Sequence, residues 1–231
     1  MIIYTPTLHI FNIIHRTTLE RALSDFVFGY GNSCLIENGI DRLFINFGGE
    51  EYGGSEGLLI LDTRENSVVG QIKLGEYTRL LGPTESNDQI LIGVGGKQIL
   101  ILDTRSHAIL TSLNVGFHAL RGIADRDQFL LWVPPGRIQA LQLTDYQVLP
   151  PLPVTGVYEF SLTPDREHLV ILRGEEMRTQ TDRISFYDRS REMIVHEQFI
   201  SDGRHLFTSS DGRIFFIERE ANTLLLNEVL L

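Results

Sequence analysis

Cysteine, lysine and long apolar runs are nearly missing from this sequence, and each shortage removes a class of protein. Cys34 is its one cysteine. A lone thiol forms no internal disulfide, whereas a small secreted scaffold carries several pairs. With no His and Asp arrangement beside it, Cys34 reads as a small apolar residue in or next to a strand. Lysine occurs only as Lys73 and Lys97, and 20 Lys plus Arg against 30 Asp plus Glu give a formal charge of -10. Nucleic acid and anionic membranes are held by basic patches, so this balance argues against both as partners. No apolar run reaches the roughly 18 residues of a membrane span. The first ten residues lack a basic segment and are interrupted by Thr5, Pro6, Thr7 and His9, which makes a poor signal peptide. A soluble, cytoplasmic protein is expected.

What the sequence does have is a repeat. Leu59-Ile60-Leu61-Asp62-Thr63-Arg64 returns as Leu100-Ile101-Leu102-Asp103-Thr104-Arg105, 41 positions later. A second landmark agrees, because Asp62 to Gly75 and Asp103 to Gly116 are both 13 residues apart, and Gly156 follows Gly116 by 40. Short apolar runs separated by Gly, Asp, Asn or Pro turns recur throughout, which is the signature of many short antiparallel strands. One template strand appears at 8–12, 58–62, 99–103, 139–143, 184–188 and 214–218. Each is followed by another apolar segment, at 19–23, 68–74, 109–115, 147–152, 193–199 and 224–230. Its closing Asp can bond the backbone that follows and start a tight turn. Further apolar runs precede the template, so each unit of about 41 residues holds four strands, the period of a propeller blade.

These residues resemble the YVTN-type repeat and its WD40-like relatives. The pattern is apolar strand, Asp, turn, apolar strand, then Val115-Gly116 with His118. Leu162-Thr163-Pro164-Asp165 and Ser201-Asp202-Gly203 resemble the turns between the first two strands of such blades. The resemblance implies an all-β fold, a β-propeller of about five to six short four-stranded antiparallel blades, incomplete or irregularly closed, as a single domain over residues 1–231. Trp132 is not followed by Asp and no Gly-His dipeptide occurs, so the WD40 side-chain network does not carry over. Only 30 residues separate Asp188 from Glu218, so one strand is expected to be missing or merged there.

Chemistry is harder to find. Gly93-Val94-Gly95-Gly96-Lys97-Gln98 has Leu91 and Gln98 where a phosphate loop needs Gly and Ser or Thr, so it reads as a turn. Gly29-Tyr30-Gly31 lacks the third glycine and the βαβ setting of a dinucleotide site. The seven histidines never take the spacing of a helical zinc site. No catalytic residue, metal or cofactor is therefore expected. His118 is the channel candidate, since it follows a repeat glycine where an innermost strand begins.

Two odd loops remain, Gly48–Gly57 and Arg173–Arg183. Both join second to third strands, so a meander brings both to one face, with the Pro134-Pro135-Gly136 turn. Glu50, Glu51, Tyr52, Arg173 and Arg178 are the candidate interaction residues there. Tyr and Arg anchor interfaces, while exposed carboxylates steer a basic partner. A non-catalytic scaffold that binds a protein, with a basic surface as the favoured kind, is the leading expectation. A propeller enzyme of lactonase or oxidoreductase type, or a fragment of a larger propeller protein, stays open beside it.

Overall fold

The computed structural model describes residues 7–12, 17–22, 33–36, 41–47, 57–65, 67–75, 77–174, 181–201, 203–208, 213–220 and 223–229. Side chains are described for 41–46, 57–65, 67–75, 77–174, 182–200, 206, 213–217 and 225–229.

Every described element is a strand. β1 (Thr7–Asn12) and β2 (Thr17–Ala22) form a hairpin. β3 (Ser33–Ile36), β4 (Arg42–Phe47), β5 (Gly57–Asp62) and β6 (Ser67–Lys73) make a four-stranded antiparallel meander. A second meander contains β7 (Arg79–Pro83), β8 (Gln89–Val94), β9 (Gln98–Asp103) and β10 (Ile109–Asn114). Then come the three strands β11 (Arg121–Asp125), β12 (Gln128–Val133) and β13 (Arg137–Gln142). Four follow, β14 (Val157–Leu162), β15 (His168–Gly174), β16 (Thr181–Asp188) and β17 (Met193–Ser201). The last sheet holds β18 (Gly203–Thr208), β19 (Ile214–Glu220) and β20 (Thr223–Glu228). The chain divides into two compact units, residues 1–83 with 87–116, and residues 84–86 with 117–231.

The twin Leu-Ile-Leu-Asp-Thr-Arg motif acquires a physical explanation. Its apolar residues form β5 and β9, buried on both faces, as expected of strands covered on both sides. Asp62 Oδ1 accepts from the backbone N–H groups of Arg64 and Glu65, both at 2.9 Å. Asp103 Oδ1 does the same for Arg105 at 3.1 Å and Ser106 at 2.6 Å. The threonine clasps the turn between the first two strands: Thr63 donates twice to the Asp41 carbonyl, and Thr104 donates to the carbonyls of Asp88 and Asn87. The Glu65 N–H above all holds the Asp62 carboxyl below its ordinary value of 3.8, and the Ser106 N–H does so for Asp103. The repeat is thus scaffold chemistry, and its Asp starts the predicted turn.

In the first unit, Phe44, Leu58 and Ile60 pack against Leu80, Ile90, Ile92, Leu100 and Leu102. His107, in the β9–β10 turn, sets its ring edge-on to Phe44 at 6.1 Å. Burial, reinforced by the charge of Arg42, pushes its pKa below the ordinary 6.5. The unfolded chain therefore takes up this proton first as pH falls, so stability present above about pH 6.5 is lost below it. The unfolding midpoint is expected to drop between pH 7 and pH 5.5, before the carboxylates titrate. His107→Asn, which tolerates the left-handed φ of 59°, should flatten that slope whatever it does to the midpoint at pH 7. A thermal melt series over this range checks both.

In the second unit, β15 shows how one strand serves two cores. Leu169 and Ile171 face Leu130, Ile138 and Phe160, while Val170 and Leu172 face Ile184, Phe186, Ile214 and Phe216. Two expectations change here. Residues 147–152 do not form a strand, because Pro150 and Pro151 have no N–H to give a ladder; an isolated bridge joins Leu141 to Val148, and beyond it Leu152 N–H donates to the Ile138 carbonyl. In the shortened last unit, the apolar run at 206–208 directly precedes the template at 214–218, and the repeat spacing predicts a second strand there. The structure makes it part of β18, first in its sheet and packed against β14, first in the preceding one.

Candidate interaction surface

The second unit carries its functional candidates on a rim of tightly joined backbone. Val157 N–H donates to the Gly136 carbonyl at 3.0 Å, and Gly174 N–H donates to the Gly156 carbonyl at 3.1 Å. The first bond ties the β12–β13 turn to the start of β14, and the second ties β14's start to the end of β15. Such contact needs small residues. A Cβ on Gly156 would lie 2.5 Å from the Gly174 carbonyl oxygen, and one on Gly174 would meet Asp182 at 2.7 Å and the Tyr158 ring at 2.9 Å. Trp132 adds an indole N–H to the Val157 carbonyl at 2.6 Å. The rim therefore fixes the base of the loop at 175–180.

Beneath it, polar side chains join the first strands of three successive sheets. Arg121 on β11 donates to Glu159 Oε1 at 2.5 Å and to the Tyr158 carbonyl at 2.8 Å. The other Glu159 oxygen accepts the backbone N–H of Leu206 on β18. One carboxylate thus satisfies a guanidinium and a buried amide that would otherwise be costly to enclose.

Arg173, Arg183 and Phe199 stand on one rung across β15, β16 and β17, at the end from which the 175–180 loop leaves. Neighbours on a rung share a face of the sheet. Arg173 donates to Ser185 at 2.8 Å and twice to Glu197, from Nε at 3.1 Å and again from its terminal nitrogen. Burial works against the Glu197 charge, but the hydrogen bonds from Arg173 and Ser185 and the charges of Arg173 and Arg183 outweigh it, so its pKa lies below the ordinary 4.5. Arg183 lies 4.9 Å over the Phe199 ring, a cation–π pair. Phe199 is still 65% exposed.

Of the residues singled out by sequence, Arg173 lies in this ladder. His118 is half-buried, shortly after Gly116 and before β11. Glu50, Glu51, Tyr52 and Arg178 lie outside the described residues. Pro134-Pro135-Gly136 forms the predicted turn between second and third strands. Sequence reasoning missed Tyr158, Arg183, Phe199 and the Arg121–Glu159 pair. Register across paired strands is what unites them, and only Arg183, at the edge of an odd loop, carried a signal.

No protein-family profile matches the sequence, and no curated protein matches it either. Solved structures do. Hydrazine synthase of Kuenenia stuttgartiensis aligns with a TM-score of 0.66 at 13% identity, over 90% of this chain and 67% of its own. The β-propeller domain of Myceliophteria thermophila Cps50 (Swd1) aligns at 0.60 and 14% identity, over 86% of this chain and 71% of its own. The fold is a β-propeller. A third match, the dihydro-heme d1 dehydrogenase NirN in complex with DHE, scores 0.62 at 14% identity, over 96% of this chain and 49% of its own. At these identities the likeness concerns the propeller architecture and leaves activity open.

Proposed function

We propose that this propeller is a non-catalytic interaction scaffold, with repeats of YVTN/WD40-like type, that presents its second-to-third-strand loops to a protein partner. Its structural neighbours include enzymes as well as the Swd1 propeller, so the argument rests on the site. The observation that carries it is the Arg173–Arg183–Phe199 rung. An exposed aromatic ring is held by a cation at the base of a polar loop, on a rim of interlocked backbone. Rigid scaffolds with exposed aromatic and Arg anchors suit protein recognition, because little side-chain freedom is lost on binding. Arg121 and Glu159, the polar pair on the inner strands, join strands to one another, which is a structural use of charge.

Glu50 and Glu51, with Tyr52, extend the reading to the first unit, where they supply attraction for a basic surface, and Arg178 is the proposed anchor beside the Arg173 ladder in the second. Reversing both carboxylates, Glu50→Arg with Glu51→Arg, should slow association with the partner at low salt by about tenfold and leave the melting temperature unchanged. Surface plasmon resonance at two ionic strengths measures this. An association rate that does not change would remove the acidic loop from the interface.

A further inference from the structure

The last sheet is one strand short. The sheets β3–β6, β7–β10 and β14–β17 each hold four strands, whereas β18–β20 ends on β20, and among the described residues no strand pairs with its outer edge. The β11–β13 sheet is also three-stranded, but its edge is covered, since Leu149 N–H donates to the Ala140 carbonyl and Leu152 N–H to the Ile138 carbonyl, both at 2.9 Å. On β20 the backbone groups divide cleanly. Val229 N–H donates to the Ile214 carbonyl at 2.8 Å, and the register with β19 runs from there to Thr223 without a shift. Peptide groups alternate in direction along a strand, so those of Leu224, Leu226 and Glu228 point away from β19. The side chains beside them are open as well, with Leu226 62% and Leu225 36% exposed. Edge strands are ordinarily protected by Lys, Pro or a bulge. β20 has none of the three.

We propose that β20 pairs with β20 of a second copy of this chain, antiparallel across a twofold axis, so that two three-stranded sheets become one. The self-complementarity of the strand selects this occupant. Thr223-Leu224-Leu225-Leu226-Asn227 has nearly the same character read in either direction. With Leu225 on the axis, Leu224 stands opposite Leu226 of the second copy, and Thr223 opposite its Asn227. Leu224 and Leu226 are the residues with outward peptide groups, so the N–H and C=O groups that meet are those free to bond. Every leucine of β20 then meets a leucine. Glu228, the one charged residue of β20, falls opposite Asn222 of the second copy, so no like charges oppose one another. A twofold contact uses the same patch on both copies and closes at two, which leaves neither β20 edge open.

Sedimentation velocity of the purified 231-residue chain, at concentrations up to about 200 μM, tests this. A reversible equilibrium between the 26.2 kDa chain and a species of twice that mass is expected. Leu225→Arg sets like charges together on the axis, and Leu226→Pro removes an outward N–H that β19 does not use. Each should weaken dimerisation by at least about tenfold. Leu110→Arg, on the exposed outer strand β10, should leave the equilibrium unchanged. If either β20 variant fails to fold, cysteine pairing replaces it. Leu225 would meet its own copy as a non-hydrogen-bonded pair, with Cα atoms about 4.5 Å apart, within reach of a disulfide. In a Cys34→Ser background, Leu225→Cys treated with oxidised glutathione should therefore give a covalent dimer, and Leu110→Cys should not. A chain that stays monomeric throughout, a dimer that survives both β20 substitutions in folded protein, or equal cross-linking through positions 225 and 110 would each overturn the proposal.

Discussion

Glu159→Ala should lower the stability of the second unit by about 3 kcal/mol, with a fall in melting temperature of roughly 6–10 °C. The carboxylate is nearly buried, at 11% side-chain exposure, and has two obligations. One is the Arg121 guanidinium, which is one-third exposed and can turn to water when its partner is lost. The other is the Leu206 N–H, which cannot. An amide left unsatisfied in the interior costs about 1–3 kcal/mol by itself, and the cavity adds to that. Glu159→Gln keeps an oxygen for Leu206 while removing the charge, so it should recover about half of the loss. Circular dichroism melts of both variants measure this. If Ala and Gln cost the same, the charge and not the amide bond is what matters. A melting temperature within about 1 °C of wild type in Glu159→Ala would show that the three inner strands do not depend on this group.

Gly156→Ala is expected to be as damaging, at about 3 kcal/mol or more. Two causes add. Gly156 sits at a φ of +69°, where a side chain is strained, and its Cβ would press on backbone, the Gly174 carbonyl oxygen, which cannot swing aside. Gly116 separates the causes. It has a φ of +72°, but an added Cβ meets nothing within 4 Å. Gly116→Ala should therefore cost only the strain, about 1 kcal/mol. Urea titrations of the two variants compare them directly. Equal losses would mean that the rim beneath the 175–180 loop is not the close backbone contact described.

These two glycines also show what was legible in the chain and why. Gly75, Gly116 and Gly156 were found from spacing alone, and all three adopt positive φ before the first strand of a sheet. Spacing is preserved there because few other residues tolerate that backbone. Asn87, Arg126 and Arg166 serve a similar role between first and second strands, at φ of 55–63°, but their varied side chains hide the position from a pattern search. Strand positions followed from apolar runs, since inner strands such as β15 are covered on both faces. Residues 147–152 carry enough apolar side chains to predict a strand, but Pro150 and Pro151 within them lack the N–H donors that a ladder needs. The candidate site was less legible. Arg173, Arg183 and Phe199 are separated by 10 and 16 residues, and only the strand register aligns them. Glu159 looks like a polar interruption in an apolar strand until the amide of Leu206 is placed opposite it.

The most direct test of the scaffold reading is site-specific photocrosslinking in living cells, with benzoylphenylalanine placed singly at Tyr52, Arg178, Arg105 and Arg191. Tyr52 and Arg178 belong to connections between second and third strands. Arg105 and Arg191 belong to turns between third and fourth strands, which leave their own sheets from the opposite end. Covalent adducts of one common partner should form from positions 52 and 178 and be absent from 105 and 191. Adducts formed equally from all four positions, or only from 105 and 191, would contradict the account.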